Sequence, residues 1–305
     1  MGTLDGQVAV VTGAGRGLGR EHALLLAEQG AAVVVNDLGG AQDGTGAQAA
    51  PAQAVAEQIR AAGGQAVANG DDVADAAGAQ RIIETAIGEF GRLDVLINNA
   101  GIIRDRMLIN LTDDDWDLVL RVNLRGTFVM TRAAGKYWRE QSKAGEPVAA
   151  AVVNTSSESG VFANPGQANY AAAKAAVAAL TQVAAKELGR YGVRVNAILP
   201  QARTRLTEST FGDALAVKEG AFDRWDPANV SPFVVYLAGP QCPITGEVFV
   251  VGGSRVQRVR GWEKDPAWKL QTEGRWTVAD LQKAAEAAGP PADAQKWTAN
   301  PGKAR

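Results

Sequence analysis

Thr12-Gly13-Ala14-Gly15-Arg16-Gly17-Leu18-Gly19 decides the reading of this chain. It follows an apolar run, Gln7–Thr12, and opens a stretch of helical period, Leu18–Gln29. Turns without side chains let the backbone come close to phosphate oxygens. A helix N-terminus behind them offers unpaired N–H groups and partial positive charge. A glycine cluster alone is weak evidence. Between a first strand and a first helix it reads as a pyrophosphate cradle.

Outward from this turn the same alternation repeats. Apolar, β-branched runs of strand length recur at Ala31–Asn36, Gln65–Asn69, Leu93–Asn98, Ala149–Asn154, Val193–Leu199 and Glu247–Val251. Helical stretches separate most of them: Ala52–Ala62, Ala76–Phe90, Asp113–Glu140 and Ala168–Arg190. Continuously apolar strands alternating with helices predict a parallel sheet covered on both faces. The expected fold is α/β, a Rossmann-like doubly wound parallel sheet of about seven strands in three α/β/α layers. Gly30, Gly63, Gly64, Gly91 and Gly192 fall just after helices, where a left-handed residue is wanted. Part of the excess of 35 glycines in 305 residues is therefore helix termination.

In such a sheet, ligands sit at the carboxyl ends of the strands. The cradle contributes Gly13, Gly15, Arg16, Gly17, Leu18 and Gly19. The second strand ends at Asp37, whose carboxylate suits the adenosine ribose and repels a 2′-phosphate. Arg16 argues mildly for that phosphate. Like-charge contact in a snug pocket costs more than an exposed arginine gains, so the expected cofactor is NAD. Asp72 and Val73 end the third strand and flank the adenine. Asn99, Ala100 and Gly101 end the fourth.

Composition removes other chemistries. There is one cysteine, Cys242, and one histidine, His22. No intrachain disulfide can form, and no zinc site of Cys/His type is expected; no metal is called for. The formal net charge of −2 gives no reason to expect nucleic-acid binding. No apolar run is long enough for a membrane span. The N-terminal residues lack a basic region before their apolar stretch, and the C-terminal Lys-Ala-Arg is not a peroxisomal address. A cytoplasmic protein is the default expectation. His22 reads as a packing or surface residue of the first helix, and Cys242 as a buried small residue.

A base must then come from elsewhere. Tyr170-Ala171-Ala172-Ala173-Lys174 sets a tyrosine and a lysine one above the other on a helix face. Ser157 lies thirteen residues earlier, after a strand, and Asn123 lies within the long helical stretch. With the glycine turn and Asn98-Asn99-Ala100-Gly101, these residues resemble the short-chain dehydrogenase/reductase family, in order along most of the chain. The resemblance implies a secondary-alcohol dehydrogenase with catalytic residues Asn123, Ser157, Tyr170 and Lys174. Tyr170 is the general acid/base as hydride passes to NAD. Ser157 holds the reacting oxygen, and Asn123 holds a water that relays protons to Lys174. The resemblance also sets Tyr170, Lys174 and Pro200 against the cofactor. A free phenol has a pKa near 10, so Lys174 and the positive nicotinamide ring must favour phenolate. A shift of about three units takes roughly 4 kcal/mol.

Within the family, residues 33–40, 101–107, 124–128 and 166–174 resemble the (3R)-hydroxyacyl-CoA dehydrogenase part of peroxisomal multifunctional enzyme type 2. The loop Gly39–Ala50 is similar too. That implies an acyl-CoA substrate. Alternatives are a hydroxysteroid dehydrogenase, a 3-oxoacyl-carrier-protein reductase and, remotely, a non-catalytic dinucleotide sensor. Residues 200–203, Pro-Gln-Ala-Arg, depart from that group, which tends to have glycine at the last of them. Thr204–Phe222 falls where the family carries a substrate lid. The cluster Arg104-Asp105-Arg106 either borders the site or is a solvated charge cluster. The expected organisation is a dehydrogenase domain, 1–254, and a Trp-rich basic extension, 255–305. The extension holds four of the seven tryptophans and a net charge of +4. Its tryptophans pack it on its own body or a neighbour, or it forms a basic lid over an anionic substrate. A short helix is expected there, with Thr277 as N-cap, Asp280 three residues on and Gly289 as the stop. The alanine-rich helix from Tyr170 to Arg190 invites close approach of a second helix, which implies a homodimer or homotetramer.

Overall fold

A computed structural model describes residues 2–46, 50–204, 220, 222–261 and 263–289. The chain divides into two units, Met1–Val259 and Arg260–Arg305. The first is an eight-stranded sheet: β1 Val8–Thr12, β2 Ala32–Asn36, β3 Ala66–Asn69, β4 Val95–Asn98, β5 Ala150–Thr155, β6 Val193–Pro200, β7 Val248–Gly252 and β8 Arg255–Val259. The spatial order is β3-β2-β1-β4-β5-β6-β7-β8. Seven strands are parallel, and β8 pairs antiparallel with β7. The strand order reverses between β1 and β4, where this architecture places its ligand crevice.

The sheet is apolar on both faces because helices cover both. Helices α1 Gly17–Glu28, α2 Ala50–Ala61 and α8 Ser231–Ala238 bury Leu26, Ile59 and Val234 on one side. Helices α3 Ala76–Phe90, α5 Gly126–Lys143 and α7 Ala168–Leu188 bury Ile82, Met130 and Ala184 on the other. Trp138 is fully buried in that layer and donates its indole N–H to Leu93 O at 2.7 Å. Gly91 ends α3 in the left-handed conformation.

Two differences from the sequence reading have physical causes. The stretch expected as one helix is α4 Asp113–Leu120, a π-helical turn Arg121–Arg125, and then α5. The eighth strand starts where the extension was expected to begin. Its side chains from Arg255 to Arg258 are exposed, so it carries no apolar alternation to mark it. In the second unit, α9 runs Val278–Ala288, with the Thr277 side chain accepting from Asp280 N. Thr277 Oγ1 donates to the Asp280 carboxylate at 2.6 Å, and Gly289 follows the helix. Trp268 donates its indole N–H to Gly289 O at 2.8 Å. The expected lid, Thr204–Phe222, lies outside the described residues except for 204, 220 and 222.

Candidate active site

The glycine turn is fastened to the end of β4. Thr12 Oγ1 donates to Ile97 O and accepts from Asn99 N and Ala100 N, at 3.0–3.2 Å. Asn99 Nδ2 donates to Thr12 O and Gly13 O. A Cβ at Gly19 would stand 2.3 Å from Gly13 O and 2.5 Å from Asn99 Nδ2, so only glycine lets α1 start this close to the turn. No side chain caps α1 at Arg16, and no acid lies in its first turn. The cleft above has a volume of about 220 Å³. Gly13, Arg16, Gly17, Leu18, Asp37, Asp72, Val73, Asn99, Ala100 and Gly101 line it, with Leu38, Ala41, Gln42, Gly44, Ile102, Leu118 and Arg121. Gly15 and Gly19 lie in the turn beneath. Pro200 ends β6 and is not among the lining residues.

Asp37 Oδ2 accepts from Gly15 N at 2.7 Å and Oδ1 from Gly39 N at 2.6 Å. Two backbone amides thus hold this carboxylate against the turn. Asp72 Oδ1 accepts from Ala74 N, and its other oxygen pairs with Arg121. The uncapped helix start, the glycine approach and the fixed carboxylate fit a dinucleotide.

The second group lies on β5, α7 and α6 (Glu158–Phe162). Ser157 is the N-cap of α6. Its hydroxyl faces the Tyr170 phenol and favours the ionised form. Lys174 Nζ stands 5.5 Å from the centroid of the Tyr170 ring and donates to Thr155 O at 2.8 Å. Asn123 sits in the π-helical turn, fully buried. Its Nδ2 donates to Ile102 O and Val119 O, while Oδ1 has no protein partner. A Cβ on Gly101 would lie 2.6 Å from that oxygen and 3.5 Å from Lys174 Nζ. Orphan oxygen and ammonium therefore converge on one point beside Gly101. Asn123 lies in a π turn, an irregularity frequent at functional sites.

Burial pushes Tyr170 up to about 12, against the hydrogen bond from Ser157, and Asp105 adds to the rise. Burial pushes Lys174 down to about 7. Lys174 does not bring the phenol down in the protein alone, because desolvation costs both groups their charged form.

Three features were missed in the sequence. Gly160 lets α6 approach α7: a Cβ there would lie 2.5 Å from Ala175 N and 2.6 Å from Lys174 C. Asn169, fully buried, accepts from Tyr170 N and donates to Arg104 O and Asp115 O. Gln167 donates to Asp105 at 2.7 Å. The partners of Arg104-Asp105-Arg106 arise from folding and leave no mark in the local sequence. His22 is fully buried, and its Nδ1 meets Ser231 Oγ at 2.8 Å. Cys242 is buried and free. Among the described residues, no group of three or more His, Cys, Asp or Glu could hold a metal ion. No helix among them is long and apolar enough to cross a membrane.

A glycine turn at the switch point and a Ser-Tyr-Lys group beyond it define a class. This chain belongs to the short chain dehydrogenase family, whose model matches residues 7–213. Members are oxidoreductases that generally use NAD(P). Over 263 residues the chain is 48% identical to hydroxyacyl-CoA dehydrogenase ChsB1 of Mycobacterium tuberculosis, covering 84% of this chain and 80% of that one. It is 45% identical to peroxisomal multifunctional enzyme type 2 of Drosophila melanogaster, over 85% of this chain but 40% of that protein. A short chain dehydrogenase from Mycobacterium avium has a TM-score of 0.83 and 47% identity, covering 95% of this chain and 98% of the other. Hydroxyacyl-CoA dehydrogenases are thus among its relatives.

Proposed function

We propose that this enzyme is an NAD-dependent dehydrogenase that interconverts a (3R)-hydroxyacyl-CoA and its 3-oxoacyl-CoA. The observation that carries the reading is the grouping of Lys174 Nζ, 5.5 Å from the Tyr170 ring centroid, with the unpartnered Asn123 Oδ1 beside Gly101 and Ser157 at the start of α6. The named relatives and the residues shared with that branch support the choice of substrate.

Bound in the cleft, an oxidised dinucleotide would supply the hydride acceptor and a positive charge. Asp37, fixed by Gly15 and Gly39, receives the adenosine ribose and opposes a 2′-phosphate. Ser157 donates to the reacting oxygen and orients its proton toward Tyr170. Tyr170 takes that proton in oxidation and returns one in reduction. Its phenol, high in the protein alone, comes down only as positive charge gathers in the desolvated site. Asn123 Oδ1 and Lys174 Nζ together hold a water through which the proton leaves.

NADH formation with (3R)-3-hydroxyacyl-CoA tests this. Tyr170→Phe is expected to lose about a thousandfold in kcat; full activity in that variant refutes the mechanism. Preference for NADPH would favour a carrier-protein-linked reductase, and preference for hydroxysteroids would move the substrate assignment.

A further inference from the structure

The loop after β2 forms one wall of the cleft, through Leu38, Gly40, Gln42 and Gly44. It is pinned to the segment after β4 at three points. Ile103 N donates to Gln42 O at 3.3 Å. Arg104 Nε donates to Asp43 O at 2.9 Å. Gly44, with φ +86°, lies so close to Ile102 and Leu118 that a Cβ would stand 2.9 Å and 3.2 Å from their methyl carbons.

Arg104 also faces the other way. Its guanidinium pairs with Asp115, which is 6% exposed, at 3.4 Å. Its carbonyl and that of Asp115 both accept from Asn169 Nδ2, at 3.1 and 3.0 Å. Asn169 Oδ1 in turn accepts from Tyr170 N at 2.8 Å. Arg106 N donates to Gly166 O at 2.8 Å, a second stitch to the approach to α7. A continuous set of hydrogen bonds therefore runs from the cleft wall to the catalytic tyrosine, and Arg104 is the residue common to both halves.

We propose that Arg104 is a positioning residue that ties the 38–46 wall of the dinucleotide cleft to the first turn of α7, so that dinucleotide binding and the placement of Tyr170 share one frame. Dinucleotide held against the wall steadies the loop, and Arg104 passes that order to Tyr170 through Asp115 and Asn169. The inference rests on the dinucleotide reading above.

NADH binding by fluorescence titration, kcat at saturating dinucleotide, and Tm test it on the full chain. Arg104→Met is expected to raise the Kd for NADH about fivefold, the effect of one lost hydrogen bond, and to lower kcat. Arg104→Lys keeps a charge for Asp115 but lacks the forked donors. It is expected to hold Tm near wild type while leaving Kd raised and kcat low. Gly44→Ala displaces the same wall, so its effect combined with Arg104→Lys should fall short of the product of the two. A lysine that restores Kd and kcat along with Tm reduces Arg104 to a charge partner and overturns the proposal. So does a Kd unchanged in both Arg104 variants, a raised Kd with unchanged kcat, or effects that multiply. Should Arg104→Met fail to fold, the lysine and double variants decide alone. Wild-type protein that binds no NADH overturns the dinucleotide reading, and this inference with it.

Discussion

His22 shows how far a single side chain departs from its free behaviour. Burial lowers its pKa from 6.5 to about 3. The unfolded chain therefore binds a proton that the folded chain refuses. Its contribution to stability is complete above about pH 6.5 and is lost as pH falls toward 3. The loss amounts to about 3 kcal/mol by about pH 4.5. His22→Asn, which keeps a partner for Ser231, should flatten the fall in urea midpoint between about pH 7 and 4.5; an unchanged slope would remove His22 as its source. Asp37 makes a second prediction at this scale. Its carboxylate is held by two amides at the bottom of the cleft. Asp37→Ser removes the charge that opposes a 2′-phosphate, and the ratio of kcat/KM for NADP against NAD should rise at least about tenfold. A ratio that does not move would place cofactor choice elsewhere.

At the scale of elements, the site depends on how closely α6 and α7 pack. Gly160→Ala puts a methyl against the backbone of Lys174 and Ala175. Ser157, which caps α6, then moves away from Tyr170. We expect kcat to fall at least about tenfold while far-UV circular dichroism stays unchanged, since a sub-ångström shift at reacting groups is enough. Activity within twofold of wild type would show that the helices yield without consequence. This pair also marks the limit of what the sequence reveals. The glycine turn, the strand-end Asp37 and Asn99, and the Tyr170/Lys174 spacing are legible because each is a local pattern with a local cause. Gly160 is not, because its need arises from a backbone that lies fourteen residues on in sequence and is brought close only by folding. Asn123 is picked out by the resemblance, but the π turn that holds it is not legible, since nothing in Val122-Asn123-Leu124 announces one. β8 is hidden for the opposite reason: an exposed edge strand has no buried face to impose alternation.

For the whole molecule, the small-residue surface of α7 and its neighbour α5 carries the remaining expectation. Phe128 on α5 and Val183 on α7 are exposed, 40% and 49%. We expect a homodimer or homotetramer that buries them, with a light-scattering mass of two or four chains at micromolar concentration; a monomer would refute it. The strand order has a further consequence, for biosynthesis. β1 lies between β2 and β4, yet β4 is made more than eighty residues later. While the chain emerges, β1, β2 and β3 can assemble, but the far edge of β1 stays unpaired and apolar until Val95–Asn98 arrives. Such an edge is a template for another chain. The contacts that close it span long stretches of sequence and are slow to form. The crevice at the switch point thus marks, in the nascent chain, the seam most exposed to misassociation.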